Sequence, residues 1–215
     1  MKKTVEEIFE KLFQTYPKLE ACKTDIKKAF YLIYDCYVKG GKVLICGNGG
    51  SASDSEHIVG ELMKGFIHKR PLKQADNEII KAVFPDEWEY LAEHLQGALP
   101  AISLVSQTSL NSAFINDVAA DMAFAQQVYG YAKPGDVVIG ITTSGNSKNV
   151  VNAIKVAKAF QMKSVGMTGA GGGVLKILCD ATIEVPSTVT YEIQEYHLPV
   201  YHAICAMLEA ELFNS

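Results

Sequence analysis

Val43-Leu44-Ile45-Cys46-Gly47-Asn48-Gly49-Gly50-Ser51-Ala52-Ser53 joins a short apolar run to a loop of small and polar residues, and how it is read decides the fold. Four apolar residues between Gly40-Gly41 and Gly47 suit a strand buried on both faces, and helical spacing follows over Asp54 to Lys64. The same pattern recurs at Ala101 to Val105, Val137 to Ile141, Ser164 to Met167 and Ala181 to Val185. Helical stretches lie between most of these runs, for instance Val150 to Phe160 with apolar Val150, Val151, Ile154, Ala157 and Phe160. Strands alternating with helices make βαβ units and therefore a parallel sheet. The expected class is α/β, doubly wound: a three-layer αβα sandwich around a five-stranded parallel sheet.

Upstream, Val5, Ile8, Phe9, Leu12 and Phe13, then Ile26, Ala29, Phe30, Ile33 and Tyr37, carry helical spacing twice, so residues 1–41 are expected to form two N-terminal helices. Downstream, residues 66–100 break the rhythm with His68, Arg70, Pro71, Pro85, Trp88 and His94, and are expected to be a helical insertion. Gly169 to Gly173 is a second irregular spot, read equally well as a flexible strand-to-helix turn or a ligand loop. No repeat, low-complexity tract or linker divides the chain, and 1–215 is expected to be one domain.

Composition narrows the function classes. Hydrophobic residues at 48% and charged residues at 20% exclude wholesale disorder. A formal charge of −4 gives no basic excess for a nucleic-acid track or an anionic membrane, though a local phosphate site is compatible with it. No apolar run approaches the ~20 residues that cross a bilayer, and Met1-Lys2-Lys3-Thr4-Val5-Glu6-Glu7 lacks the apolar block of a secretion signal, so a cytoplasmic location is expected. Cys22, Cys36, Cys46, Cys179 and Cys205 are scattered and form no C-x-x-C pair, which suits reduced thiols.

Two strand ends run into small, polar loops: Gly47 to Ser53, and Thr142-Thr143-Ser144-Gly145-Asn146-Ser147. In a parallel sheet both lie at the carboxyl edge, where α/β proteins bind ligands. Small side chains let backbone N–H groups approach an anion, hydroxyls add donors, and a following helix favours negative charge. Each loop alone is equally a tight turn with a helix cap, but the pair points to phosphate. Neither the P-loop nor the G-x-G-x-x-G pattern is matched.

On the helix after the first loop, His57 and Glu61 are four apart and so share a face. Both are zinc-ligand types, although a surface hydrogen bond explains an isolated pair as well. The last helix, from about Thr190 to Phe213, brings Glu192, Gln194, Glu195, His197 and His202 onto a largely apolar frame, so some of these polar groups must be buried and need partners. Gln194 and His202 stand roughly 12 Å apart along a straight helix axis. Either a bend at Pro199 or ligands drawn from different subunits would bring such groups to one ion.

With these motifs in view, the chain resembles the sugar isomerase (SIS) domain and, within it, the sedoheptulose 7-phosphate isomerase (phosphoheptose isomerase) family. The resemblance is carried by Gly47-Asn48-Gly49-Gly50-Ser51 with Asp54, by His57-x-x-x-Glu61, Asn116-Asp117 and Thr143-Ser144-Gly145-Asn146-Ser147, and by Ile193-Gln194-Glu195 with His202. It implies a flavodoxin-like fold, Zn2+ held by His57, Glu61, Gln194 and His202, and Glu61 with His202 as the acid/base pair in either order. It further implies that Ser51, Thr143, Ser144 and Ser147 bind phosphate or neighbouring hydroxyls. Asn48, Gly49, Gly50, Asp117, Thr142 and Gln194 complete the implied substrate contacts, and the implied assembly is a homotetramer with sites at subunit interfaces. Related regulatory SIS proteins lack the histidine at position 202. The chain departs from the pattern at the 66–100 insertion, at Thr142 where serine is common, at Tyr191 where aspartate is usual, and at Pro199. A non-catalytic phosphosugar sensor and an isomerase of another sugar phosphate are the competing expectations.

Overall fold

The computed structural model describes residues 2–213. In chain order the elements are α1 (Lys3–Thr15), a 3-10 turn (Pro17–Cys22), α2 (Lys23–Val38), β1 (Val43–Gly47), α3 (Gly50–Met63), α4 (Gln74–Val83) and α5 (Trp88–His94). Then follow β2 (Ala101–Ser103), α6 (Thr108–Asp117), a 3-10 turn (Ala120–Met122), α7 (Ala123–Tyr131), β3 (Val137–Ile141) and α8 (Lys148–Ala159). The chain ends with β4 (Lys163–Thr168), α9 (Gly173–Leu178), β5 (Ala181–Glu184) and α10 (Thr190–Phe213). All five strands pair in parallel in the order β2-β1-β3-β4-β5.

Every residue of β1 and β3 is buried, as continuous apolar runs in a parallel sheet require. Alternation of Cβ direction sorts them into two cores. Val43, Ile45, Val137 and Ile139 pack with Phe9, Phe30, Ile58, Leu62 and Ile204 from α1, α2, α3 and α10. On the opposite face Leu44, Cys46 and Val138 pack with Val128 of α7, Val150 and Ile154 of α8 and Leu175 of α9. The three-layer αβα sandwich and the two N-terminal helices follow the sequence reading.

Crossing from β1 to β2 takes the chain one way along the sheet, and from β3 to β4 the other, so the switch point lies between β1 and β3. Both small polar loops open there. Segment 66–100 does contain two helices, α4 and α5, and neither has a buried residue. It is rooted where Leu99 N–H donates to the Leu62 carbonyl (3.0 Å) and Gly97 N–H to the Arg70 carbonyl (2.7 Å). Helix α10 runs unbroken through Pro199, whose missing N–H removes one rung of the ladder without ending it. Among the described residues no helix is long and apolar enough to cross a membrane.

Candidate active site

A cavity of about 200 Å³ at the switch point is lined by Asn48, Gly49, Gly50, Ser51, Thr142, Thr143, Ser147, Thr190 and Gln194, with Ile141 at its base. Three helices start on its wall: α3 at Gly50, α8 at Lys148 just after Ser147, and α10 at Thr190. Neither Gly49 nor Ser147 makes a side-chain cap, while Ser51 N–H donates to the Asn48 carbonyl at 3.1 Å and Val150 N–H to Asn149 Oδ1 at 3.0 Å. Three positive helix ends on one wall form a cradle whose dipoles favour negative charge. Gly50 lets the Gln194 amide pack against the start of α3, since a Cβ there would lie 2.7 Å from the Gln194 side-chain nitrogen and push that side chain aside.

The cradle's loops are braced from behind. The Thr142 and Ser147 hydroxyls stand 2.8 Å apart, and Asn48 and Asn149 exchange two amide hydrogen bonds of 3.0 and 2.8 Å that tie the first loop to α8. The glycine run left unassigned by sequence supports the second loop: Gly169 N–H donates to the Thr143 carbonyl (3.0 Å) and Val174 N–H to Asn146 Oδ1 (3.0 Å). Gly145 (φ +68°) lies directly on Gly172, where a Cβ would strike the Gly172 carbonyl. Gly169 to Gly173 is therefore a buttress.

Farther along α3 and α10, three side chains converge. His57 Nε2 is 3.2 Å from Glu61 Oε1, and the His57 and His202 rings are edge to face with centroids 4.9 Å apart. Glu61 Oε2 and His202 Nε2 are buried and have no hydrogen-bond partner. Lys64 Nζ stands 3.5 Å from Glu61 Oε2 as an ion pair. Burial first, and the neighbouring His57 second, hold the His202 imidazole below its ordinary pKa, with Glu61 opposing. Behind the cluster, His57 Nδ1 is 3.0 Å from the Tyr201 hydroxyl, which donates to Asp54 Oδ1 at 3.3 Å. Burial, then the Asp54 charge, pushes the Tyr201 phenol up, and burial raises Asp54 against the opposing effects of Tyr201 and His57.

Among the described residues no group of three or more His, Cys, Asp or Glu side chains closes into a metal-binding set. The donor chemistry nevertheless fits a divalent cation: two imidazoles and a carboxylate adjoin, and His202 Nε2 is buried without a hydrogen-bond partner.

Of the residues singled out from sequence, Asn48, Gly49, Gly50, Ser51, Thr142, Thr143, Ser147 and Gln194 share the cavity. His57, Glu61 and His202 form the second cluster. Ser144 lies just outside the cavity wall, its hydroxyl accepting from Asn146 N–H at 3.2 Å. Asp117, at the end of α6, pairs with the Asn116 amide at 2.7 Å and does not line the cavity. Thr190 and Tyr201 were missed. The signal for Thr190 was its place at the start of α10, and for Tyr201 a phenol on an apolar helix face, whose hydroxyl needs a partner.

The SIS domain family matches this chain over residues 101–210, and a second SIS domain family over residues 8–80. Phosphoheptose isomerase 2 of Campylobacter jejuni is 40% identical over 191 residues, covering 89% of this chain and 82% of its own. The phosphoheptose isomerase structure from Neisseria gonorrhoeae superposes with a TM-score of 0.70 at 30% identity, covering 94% of this chain and 96% of that one. The corresponding structure from Francisella tularensis gives a TM-score of 0.74 at 28% identity, with 95% and 96% covered. Relatives this similar, matched along nearly their whole length, place the chain among the phosphoheptose isomerases of the SIS domain family, and it is an isomerase.

Proposed function

We propose that the protein interconverts sedoheptulose 7-phosphate and D-glycero-D-manno-heptose 7-phosphate. One observation carries this reading: an anion cradle walled by three helix starts lies on the same two helices, α3 and α10, that bring His57 and Glu61 beside His202, whose Nε2 is buried without a hydrogen-bond partner. The phosphate sits on the N–H groups of Gly49 and Gly50 and the hydroxyls of Ser51, Thr142, Thr143, Ser147 and Thr190. Ser144 adds a hydroxyl at the rim, and Asn48, Gln194 and Asp117 meet the sugar.

Ketose-to-aldose conversion moves one proton from C1 to C2 and one between their oxygens, with no net oxidation. Glu61 takes the C1 proton as its carboxylate, His202 carries a proton between the two oxygens of the enediol, and Glu61 returns its proton to C2. Fixing the phosphate at a distance from the reacting carbons lets binding energy orient them. His57, Glu61, Gln194 and His202 would hold Zn2+, which as a Lewis acid polarises the carbonyl.

Eight residues of helix separate Gln194 from His202, about 12 Å along the axis. That separation suits a homotetramer in which cradle and acid/base groups are completed across subunit interfaces. An apolar groove of about 300 Å³ beside His202, lined by Ile8, Leu12, Tyr16, Ile67 and Leu198, gives such an interface a place to form. The unit is one domain, 1–215, with the helices of 1–41 and the insertion of 66–100 attached, and its five free cysteines suit the reducing cytoplasm.

Glu61→Gln and His202→Gln should each abolish isomerisation of sedoheptulose 7-phosphate. Near-normal turnover by either would overturn the assignment. Elemental analysis of gently purified protein should find stoichiometric zinc, whereas consistent absence of both zinc and turnover would indicate a phosphosugar sensor.

A further inference from the structure

We infer that Tyr201, held by Asp54, is a positioning residue that fixes the His57 tautomer, turning its Nε2 lone pair toward Glu61 and the cation. This rests on the zinc reading above for its purpose, though not for its geometry.

The steps follow from proton counting. A tyrosine hydroxyl has one proton to give, and a carboxylate can only accept. Tyr201 gives its proton to Asp54 Oδ1 at 3.3 Å. Its contact with His57 Nδ1 at 3.0 Å must then be filled by a proton from the imidazole, so Nδ1 carries N–H. In a neutral ring that leaves Nε2 bare. Nε2 faces Glu61 Oε1 at 3.2 Å, so two acceptors confront each other, an arrangement satisfied by a cation shared between them.

The frame is rigid enough to enforce this choice. Tyr201 is 2% exposed, and its ring meets His57 edge to face with centroids 5.6 Å apart at 75°. Asp54 and His57 are three residues apart on α3, so one helix face presents both ends of the chain of hydrogen bonds to a single residue of α10. An imidazole that binds a metal through one nitrogen needs its other N–H held by an acceptor, and partners of this kind are worth about 10–100-fold in metal affinity. Here the acceptor is a phenol oxygen, itself oriented by a carboxylate.

Nitrogen NMR of the His57 ring in the zinc-free, full-length protein, at a pH where the ring is neutral, should show the proton on Nδ1. Asp54→Ala removes the acceptor and leaves Tyr201 in place, so the hydroxyl turns to donate to Nδ1 and the ring proton should move to Nε2. Tyr201→Phe should leave the two tautomers mixed and weaken zinc, measured by chelator competition, about 10–100-fold, while the thermal midpoint of each variant reports its folding separately. An unchanged Nδ1–H tautomer in Asp54→Ala would overturn the proposal, as would wild-type zinc affinity in a folded Tyr201→Phe. If the wild type takes up no zinc, the metal reading fails, and the tautomer shift alone decides whether Tyr201 positions His57.

Discussion

Replacing Glu209 by leucine should be the most destabilising single change near the root of the insertion. Glu209 and Arg70 are both fully buried, and Arg70 Nε donates to Glu209 Oε1 at 2.7 Å. The carboxylate also accepts from the N–H groups of Phe66 (2.8 Å), Ile67 (2.8 Å) and His68 (3.1 Å). Arg70 in turn donates to the carbonyls of Leu62 (2.7 Å) and Glu61 (3.1 Å), the last turn of α3. Glu209→Leu strands a buried guanidinium and three backbone donors at once, and breaking a buried pair from one side costs about 3–5 kcal/mol. For a chain of this size that lowers the thermal midpoint by about 6–20 °C. Arg70→Met should cost less, because Glu209 keeps three N–H partners when the arginine is gone. The double variant Arg70→Met/Glu209→Leu should recover much of the loss, since an apolar pair of similar volume replaces two desolvated charges. Urea denaturation of the four proteins measures all of this. Equal losses in the two single variants, or a Glu209→Leu loss under about 1 kcal/mol, well below the range for a severed buried pair, would refute the account. The pair also sets an acid limit. Burial alone would raise the Glu209 carboxyl, but the N–H groups of Phe66, Ile67 and His68 together with Arg70 outweigh it and hold the group below its ordinary value. Its contribution is thus complete above the unfolded carboxylate pKa of about 4.3 and is lost as pH falls through the lower native value.

Other expectations concern different parts of the molecule. His197 is a fully buried residue of α10, and burial pushes its pKa down to about 4 against the opposing Thr168 carbonyl. Its neutral form stabilises the fold fully above pH ~6.5, so the wild type should lose about 2 kcal/mol between pH 7 and 5 that His197→Leu does not lose; parallel pH profiles would contradict this. Gly145→Ala places a methyl against the Gly172 carbonyl at a positive φ. It should cost about 1–3 kcal/mol and raise KM more than it lowers kcat, as steady-state kinetics would show. Excising residues 73–94 behind a short glycine-serine turn should leave the thermal midpoint nearly unchanged, because α4 and α5 contribute no fully buried residue to either core.

What the sequence made legible was local. Five apolar runs with small residues at their ends gave the strands, and the paired loops gave the wall of one cavity, because a buried parallel strand and a tight strand-to-helix turn each need a particular composition over a few adjacent residues. The start of α3 was placed late, at Asp54 rather than Gly50, because glycine and serine are weak helix formers and the cradle, not propensity, fixes that first turn. His57 and Glu61 were legible because four residues is a helical repeat. Tyr201 and Asp54 stand 147 positions apart and Arg70 and Glu209 139 apart, and no periodicity reports a contact of that span. Asp117, expected among the substrate contacts from resemblance, accepts from the neighbouring Asn116 amide and does not line the cavity, and α6, which it ends, has no buried residue.

Helix α10 carries Thr190 and Gln194 at the cavity, Tyr201 and His202 at the histidine cluster, and Glu209 at the buried ion pair with Arg70. Twelve of its residues are buried, and Ile193, Val200, Ile204 and Met207 share one core with the strands β1 and β3. Whatever loosens this helix therefore loosens pocket, cluster and sheet together, and no variant can trade the grip of one for the firmness of another.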